Sequence, residues 1–180
     1  MTEKVVLDRE DVRRTLVRIA HEIVEKAGSE GIAVVGIHRR GAVLASRLRD
    51  LVAELVSEPV PLGDIDIAFH RDDLATRTSP VVHASELPFR LEDHSVILVD
   101  DVLYTGRTAR AAIDALFDYG RPARVQLAVL ADRGHRELPI RPDYVGKNLP
   151  THRSERVNVH VSELDGADEV TITSRQEAHA

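Results

Sequence analysis

Two apolar runs limit what this chain can fold into more than any other feature. Residues 32–38 (IAVVGIH) and 95–100 (SVILVD) do not alternate between polar and apolar residues, as a half-exposed strand does. Strands of this kind are buried on both faces, as in a parallel sheet that is covered by helices. A segment with helical periodicity follows each run, so strand and helix alternate along the chain. We therefore predict an α/β fold with an open, mainly parallel sheet flanked by helices.

Three helices are predicted from the spacing of apolar residues. The first spans residues 8–27, with Asp8 as its N-cap and Gly28 as its stop. The others span residues 42–55 and 107–120. The apolar face of the first helix consists of Val12, Leu16, Ile19, Ile23 and Ala27. Such a face is what a helix needs in order to cover one side of a sheet.

The other predicted strands cover residues 62–69, 124–132, 143–147 and 157–161. In the first of these, Ile65, Ile67 and Phe69 alternate with polar residues, which indicates one exposed face. Residues 70–90 have no helical period and contain two prolines, which predicts a long flexible loop of the kind that is often functional. Because there is no internal repeat and no linker, residues 1–180 are expected to form one domain.

Composition narrows the class of protein. No apolar stretch approaches the ~20 residues that span a bilayer, and the first residues do not resemble a signal peptide. The absence of cysteine excludes disulfides and thiolate metal sites, so a cytoplasmic protein without a membrane partner is expected. A net charge of −6 argues against a wholly basic nucleic-acid coat but is compatible with a local basic patch.

The end of the second apolar run carries the clearest functional signal. Asp100 and Asp101 close the run, at the edge of the sheet where ligands bind in such folds. Residues 103–108 (LYTGRT) then lead into a helix N-terminus, where free N–H groups and the helix dipole favour an anion. Carboxylates beside a phosphate site indicate a ribose 5-phosphate pocket, and they can help to hold Mg²⁺. The alternative is a strand edge with solubilising acids and a capped helix.

The order of apolar strand, two acids and Thr-Gly-x-Thr resembles the phosphoribosyl-pyrophosphate (PRPP) motif of type I phosphoribosyltransferases. The resemblance implies their fold, with a small hood subdomain beside the main sheet. It also implies that the following residues bind the sugar phosphate of PRPP: Val96, Ile97, Leu98, Val99, Asp100, Asp101, Val102, Leu103, Tyr104, Thr105, Gly106, Arg107 and Thr108.

Two further segments take their roles from the same resemblance. Arg39, Arg40 and Gly41 stand where the family has the loop that binds pyrophosphate, and an arginine fork suits that leaving group. Residues 70–73 (HRDD) resemble the start of the flexible loop that closes over PRPP and excludes water. Catalytic roles are therefore expected for Arg40, Arg71, Asp100 and Asp101, with the two aspartates also holding Mg²⁺.

The segment 120–157 contains DRGHRELPIR and VGKN, which indicate the particular family of phosphoribosyltransferases that the chain resembles. Together with RRTLVRIAHEIVE near the start, it resembles the PyrR family, and the resemblance runs from about Val5 to Val170. It implies two activities: transfer of ribose 5-phosphate from PRPP to uracil, and binding of pyrimidine-operon leader mRNA under the control of UMP or UTP. It also implies a homodimer or higher oligomer and a hood formed by about residues 132–156.

Residues 133–156 are locally basic, with six Arg or Lys and three Asp or Glu, as a phosphate-binding surface requires. By the resemblance, the RNA-binding residues are His21, His135, Arg136, Arg141 and Lys147. The alternative for each is an ordinary surface charge or a locally satisfied histidine. The chain contains only three Tyr, three Phe and no Trp, which argues against an extended base-stacking platform.

Two other functions stay open at this point. One is a salvage phosphoribosyltransferase without an RNA role, and the other is an RNA-binding regulator that keeps the pocket only as a nucleotide sensor. The chain also departs from the family pattern: Arg39 and Val17 replace common threonines, and His70 replaces a common tyrosine. The sequence does not distinguish transcription attenuation from control of translation.

Overall fold

The computed structural model describes residues 2–27, 31–70 and 84–174. In chain order, its regular elements are β1 (Thr2–Leu7), α1 (Arg9–Ala27), β2 (Ile32–Ile37), α2 (Arg40–Val56), β3 (Leu62–Ile65), a 3-10 turn (Leu91–Asp93), β4 (Ser95–Leu103), α3 (Arg107–Phe117), β5 (Arg124–Asp132), β6 (Tyr144–Asn148), β7 (Glu155–His160), α4 (Ser162–Asp165) and β8 (Glu169–Ser174).

The predicted parallel sheet is confirmed. Five strands lie in the order β3-β2-β4-β5-β6, and every neighbouring pair is parallel. The two apolar runs form β2 and β4, the second and third strands, and all six residues of β2 are buried. Since all strands run the same way, their carboxyl ends meet along one edge.

Helices cover both faces of this sheet. Val34 and Ile97 pack in one core with buried residues of α1 and α2. Their neighbours in sequence, Val35 and Leu98, pack in a second core with α3 on the opposite face. This alternation explains why β2 and β4 are apolar at every position.

Helix α1 begins where the sequence predicts. Asp8 Oδ1 accepts the N–H of Asp11 at 2.9 Å, and the Asp8 N–H donates to Asp11 Oδ2 at 3.1 Å, which closes a reciprocal cap. The residues of its predicted apolar face are buried, apart from Ala27, which is partly buried against the same core. Gly28, the predicted stop, lies outside the described residues.

Several element boundaries differ from the prediction, most of them by one or two residues. Strand β4 continues to Leu103, α2 starts at Arg40, α3 ends at Phe117, and β3 ends at Ile65 instead of Phe69. For β3 the cause is local, because Asp66 Oδ1 accepts the N–H of Ala68 at 2.8 Å and turns the chain. Ile67 remains buried but Phe69 is 70% exposed, so the predicted alternation is wrong at its last position.

A second, antiparallel sheet has the order β1-β8-β7. Of these strands only β7 was predicted, because β1 and β8 mix polar with apolar residues and come from opposite ends of the described chain. Among the described residues, no helix is both long and apolar enough to cross a membrane. Within 132–156, β6 belongs to the central sheet, and assignment of that segment as a hood stays a prediction.

Candidate active site

The paired acids lie near the carboxyl edge of the central sheet. Asp100, the last residue of the predicted strand, and Asp101 both belong to β4, which continues to Leu103. Asp100 is 8% exposed and pairs with Val129 of β5, while Asp101 is partly buried. Asp100 Oδ1 accepts the N–H of Asp101 at 2.9 Å, and Asp101 Oδ1 accepts the N–H of Val102 at 2.7 Å. Each carboxylate is therefore held against the backbone by one oxygen.

The loop after β4 forms a turn around Gly106. Its φ of +95° is a conformation that side chains disfavour, and a Cβ there would meet Ile140 and Leu138 Cβ atoms at 3.4 Å. Thr105 Oγ1 accepts the N–H of Arg107 at 3.3 Å, directly before the first turn of α3. The loop thus leads directly into the N-terminus of α3, and phosphate binding at this position stays a prediction.

Residues 137 and 138, in the segment after β5, are hydrogen-bonded to this loop. The N–H groups of Glu137 and Leu138 donate to Thr105 O at 2.9 and 3.1 Å, and Arg107 Nε donates to the Glu137 carboxylate at 2.7 Å. Glu137 was not predicted as a site residue. The only signal for it was its position in the segment that resembles the PyrR family.

Two cavities of about 340 Å³ each lie side by side at this edge. One is lined by Asp100, the loop after β4, Thr108 and Glu137. The other is lined by residues 37–40, Ile67, the acid pair, Val102 and Thr108. The cavities share Asp100, Val102 and Thr108. Of the predicted sugar-phosphate residues, those of the loop after β4 line only the first cavity and Asp101 lines only the second, whereas residues 96–99 are buried in the core and line neither. Of the predicted pyrophosphate residues, Arg39 and Arg40 line the second cavity and Gly41 lines neither.

A larger cavity of about 410 Å³ lies between α1 and α2. It is lined by apolar residues such as Leu16 and Leu51 and by charged side chains of both helices, and contains none of the motif residues. Size alone does not identify the functional site. The pair of smaller cavities is the better candidate, because convergent carboxylates, hydroxyls and a helix N-terminus meet there.

The predicted pyrophosphate loop is mostly helical. The His38–Arg39 peptide bond is cis, Arg39 is exposed, and Arg40 is the first residue of α2. A Cβ on Gly41 would lie 2.6 Å from Val99 O, so only glycine lets α2 approach β4 this closely beside the acid pair. Arg71, the remaining predicted catalytic residue, lies outside the described residues.

The Arg40 side chain is paired with Asp165 of α4. Arg40 Nε donates to Asp165 Oδ2 at 3.1 Å, and Nη2 donates to Oδ1 at 2.7 Å. This hydrogen-bonded pair raises the pKa of Arg40 and holds the pKa of Asp165 below its ordinary value. Asp165 was not predicted, because nothing in its local sequence indicates a contact 125 residues away.

Arg136 connects the segment after β5 to the loop between β4 and α3. Its Nε donates to Ile140 O at 2.9 Å, Nη1 to Tyr104 O at 2.9 Å and Nη2 to Asp132 Oδ2 at 2.5 Å. The guanidinium of the buried Arg133 lies 4.0 Å from the centre of the Tyr104 ring. Asp132 was not predicted as a site residue. Its position at the carboxyl end of the parallel strand β5 was the sequence signal that could have identified it.

The five predicted RNA-binding residues fall into two groups. Arg136 makes the internal bonds just described, and His135 Nε2 donates to Thr151 O at 2.6 Å. His21, Arg141 and Lys147 are exposed. A role in RNA binding stays a prediction for all five.

The donor set at the acid pair fits Mg²⁺ carried by a substrate. Carboxylate oxygens are the hard ligands that Mg²⁺ prefers, and it commonly takes one or two of them together with substrate phosphates and water. Within the described part of the chain, no group of three or more metal-ligating side chains occurs. Binding of Mg²⁺ by Asp100 and Asp101 stays a prediction.

Together, the parallel sheet, the acid pair, the threonine loop and the helix N-terminus define a phosphoribosyltransferase. The family model described as phosphoribosyl transferase domain matches residues 6–164. Solved structures of a Staphylococcus aureus hypoxanthine phosphoribosyltransferase (TM-score 0.69, 19% identity, 98% of this chain and 94% of that one) and a Bacillus anthracis hypoxanthine-guanine phosphoribosyltransferase (TM-score 0.69, 16% identity, 97% and 100%) have the same fold.

Relatives named bifunctional protein PyrR are much more similar. Those of Roseiflexus sp. (58% identity, 92% of both chains), Thermus thermophilus (55%, 96% of this chain and 97% of that one) and Listeria welshimeri (51%, 96% and 97%) match nearly end to end. The chain therefore belongs to the PyrR family of phosphoribosyltransferases, which confirms both resemblances drawn from the sequence.

Proposed function

We propose that this chain transfers the 5-phosphoribosyl group of PRPP to uracil, giving UMP and diphosphate. The observation that carries the proposal is the pair of adjoining cavities that share Asp100, Val102 and Thr108. One cavity offers hydroxyls and a helix N-terminus for the 5-phosphate, and the other offers Arg39 and Arg40 for the pyrophosphate. The ribose of PRPP joins these two groups, as the shared residues join the cavities.

The residues would act mainly by charge and position. Breaking the bond at the anomeric carbon leaves an oxocarbenium-like sugar and an anionic pyrophosphate. Asp100 and Asp101 accept hydrogen bonds from the ribose hydroxyls, and residues 105–108 hold the 5-phosphate. Arg40 and the N-terminus of α2 stabilise the departing charge, which lowers the barrier electrostatically. Magnesium bound with the substrate by the two aspartates would neutralise further phosphate charge.

Uracil as the acceptor base is supported by the PyrR relatives. The hypoxanthine enzymes are below 25% identical and support the fold alone. The test measures kcat/KM for uracil and for hypoxanthine with saturating PRPP and magnesium. UMP formation with no comparable IMP formation is the expected result, and a preference for hypoxanthine would exclude the uracil assignment.

We also propose that the chain binds the leader mRNA of a pyrimidine operon and attenuates its expression in response to uridine nucleotides. The support is the PyrR membership, together with exposed His21, Arg141 and Lys147. A homodimer or higher oligomer would combine the basic surfaces of its subunits. Binding of leader RNA, titrated with and without UMP at a stated salt concentration, tests this role. RNA binding that does not depend on UMP would exclude control by uridine nucleotides, and the absence of RNA binding would leave only the transferase.

The division of labour along the chain is part of the same proposal. In this proposal, the loop of about residues 70–90, which contains Arg71, would close over bound PRPP; residues 71–83 of it lie outside the described residues. Residues 132–156 would form the hood over the base. Two contacts support a link between the hood and the phosphate loop: Arg136 bonds to Tyr104 O, and Glu137 pairs with Arg107. Solvent exchange of amide hydrogens, measured with and without PRPP, should show protection of both segments.

A further inference from the structure

We infer that Asp165 is the resting partner of Arg40 and competes with the pyrophosphate group of PRPP for the Arg40 guanidinium. The inference rests on the proposed function, because it concerns the same leaving-group site. It assigns a positioning role to an α4 residue that does not belong to the PRPP motif.

The geometry of the pair is the first support. Arg40 uses Nε and Nη2 together to hold both oxygens of Asp165, at 3.1 and 2.7 Å. A fork of two parallel N–H donors is also the geometry by which arginine binds phosphate. The donors best suited to a pyrophosphate oxygen pair are therefore already engaged by a carboxylate.

The position of Arg40 is the second support. Arg40 lines the same cavity as the acid pair, and attraction by Asp101 adds to the effect of Asp165 in raising the pKa of Arg40. Its side chain is 37% exposed, so an incoming anion has access to it. Pyrophosphate carries more negative charge than one carboxylate and is expected to displace Asp165 when it enters the cavity.

The anchoring of α4 is the third support, since it lets the pair open without releasing the helix. Arg47 of α2 donates to Glu163 at 2.9 Å, to Ser162 Oγ at 3.0 Å and to Asp168 at 2.8 Å. This second attachment does not involve Arg40. The α4 segment can therefore stay in place while Arg40 changes partner.

The decisive variant is Asp165→Asn. Asp165 Oδ2 also accepts the N–H of Val161 at 2.9 Å, and the asparagine carbonyl retains that bond while losing the charge. Removing the competitor should lower the dissociation constant of magnesium pyrophosphate, measured by calorimetry, by about threefold to tenfold. The KM for PRPP and the inhibition constant of pyrophosphate should fall in parallel. A purely structural Asp165 would instead give weaker binding and a higher KM.

Asp168→Asn is the matched control, because Asp168 pairs with Arg47 and not with Arg40. Its pyrophosphate affinity should equal that of the unmodified chain. In an Arg40→Gln background, Asp165→Asn should no longer change the affinity. Unchanged or weaker pyrophosphate binding by the Asp165→Asn variant would overturn the inference while leaving the transferase proposal intact. If the unmodified chain bound neither pyrophosphate nor PRPP, the proposed function would fail and the inference with it.

Discussion

At the scale of single residues, each aspartate of the acid pair combines a fixed side-chain position with a negative charge. In both Asp100 and Asp101, Oδ1 accepts a hydrogen bond from the backbone N–H of the next residue, which fixes the direction of the side chain. A group fixed in this way costs little further entropy when it binds a hydroxyl. Position and charge can therefore be separated by a substitution that keeps the first and removes the second.

Asp101→Asn is that substitution. The amide oxygen still accepts the N–H of Val102, but the charge that strengthens the bond to a ribose hydroxyl and attracts Mg²⁺ is lost. We expect kcat/KM for UMP formation to fall by about 10- to 100-fold, as for loss of one charge-assisted hydrogen bond. Thermal unfolding serves as the control and should shift little. Near-normal kinetics would show that the ribose assignment is wrong.

At the scale of elements, the loop between β4 and α3 depends on a backbone conformation and on the segment packed over it. Gly106 has a φ of +95° and close neighbours, whereas Gly134 has a φ of +77° and nothing within 4 Å of an added Cβ. The two glycines therefore separate the cost of the conformation from the effect of the surrounding side chains.

We expect Gly106→Ala and Gly134→Ala to lower the free energy of unfolding by similar amounts. The left-handed conformation costs about 1–2 kcal/mol for alanine at either position, and the 3.4 Å distances to Leu138 and Ile140 at Gly106 are ordinary van der Waals contacts. Urea unfolding of both variants measures the difference. A clearly larger loss for Gly106→Ala would mean that the segment containing Leu138 and Ile140 does not accommodate the added methyl group.

The α4 attachment should respond to pH. Arg47 holds the pKa of Glu163 below its ordinary value of 4.5, as Arg40 does for Asp165. A lowered folded-state pKa stabilises the fold at pH values above the ordinary pKa, and this contribution is lost as pH falls through the folded-state value. The destabilisation caused by Arg47→Gln should therefore be larger at pH 7 than below pH about 4. A destabilisation independent of pH in urea unfolding would contradict this.

At the scale of the whole molecule, the sequence predicts what is local and misses what is distant. The apolar runs, the α1 face and the acid-threonine loop each show their structure within about 20 residues of chain. Strands β1 and β8 pair across nearly the whole described length, and neither has a distinctive pattern. The Arg40–Asp165 pair likewise joins α2 to α4. Such contacts exist only after the sheet brings remote segments together.

The proposal of two functions on one fold predicts that they can be separated by substitution. Arg141 is exposed and lines neither cavity of the candidate active site. Arg141→Gln should weaken leader-RNA binding by about threefold to tenfold and reduce the magnitude of the salt-dependence slope by about one, because one phosphate contact is lost. UMP formation should stay within about twofold of the unmodified chain. Arg121→Gln, which removes an exposed charge outside residues 133–156, is the matched control and should leave both activities unchanged. An equal loss of RNA binding and transferase activity in Arg141→Gln would mean that the two functions share this residue, so that RNA and substrate are not bound independently.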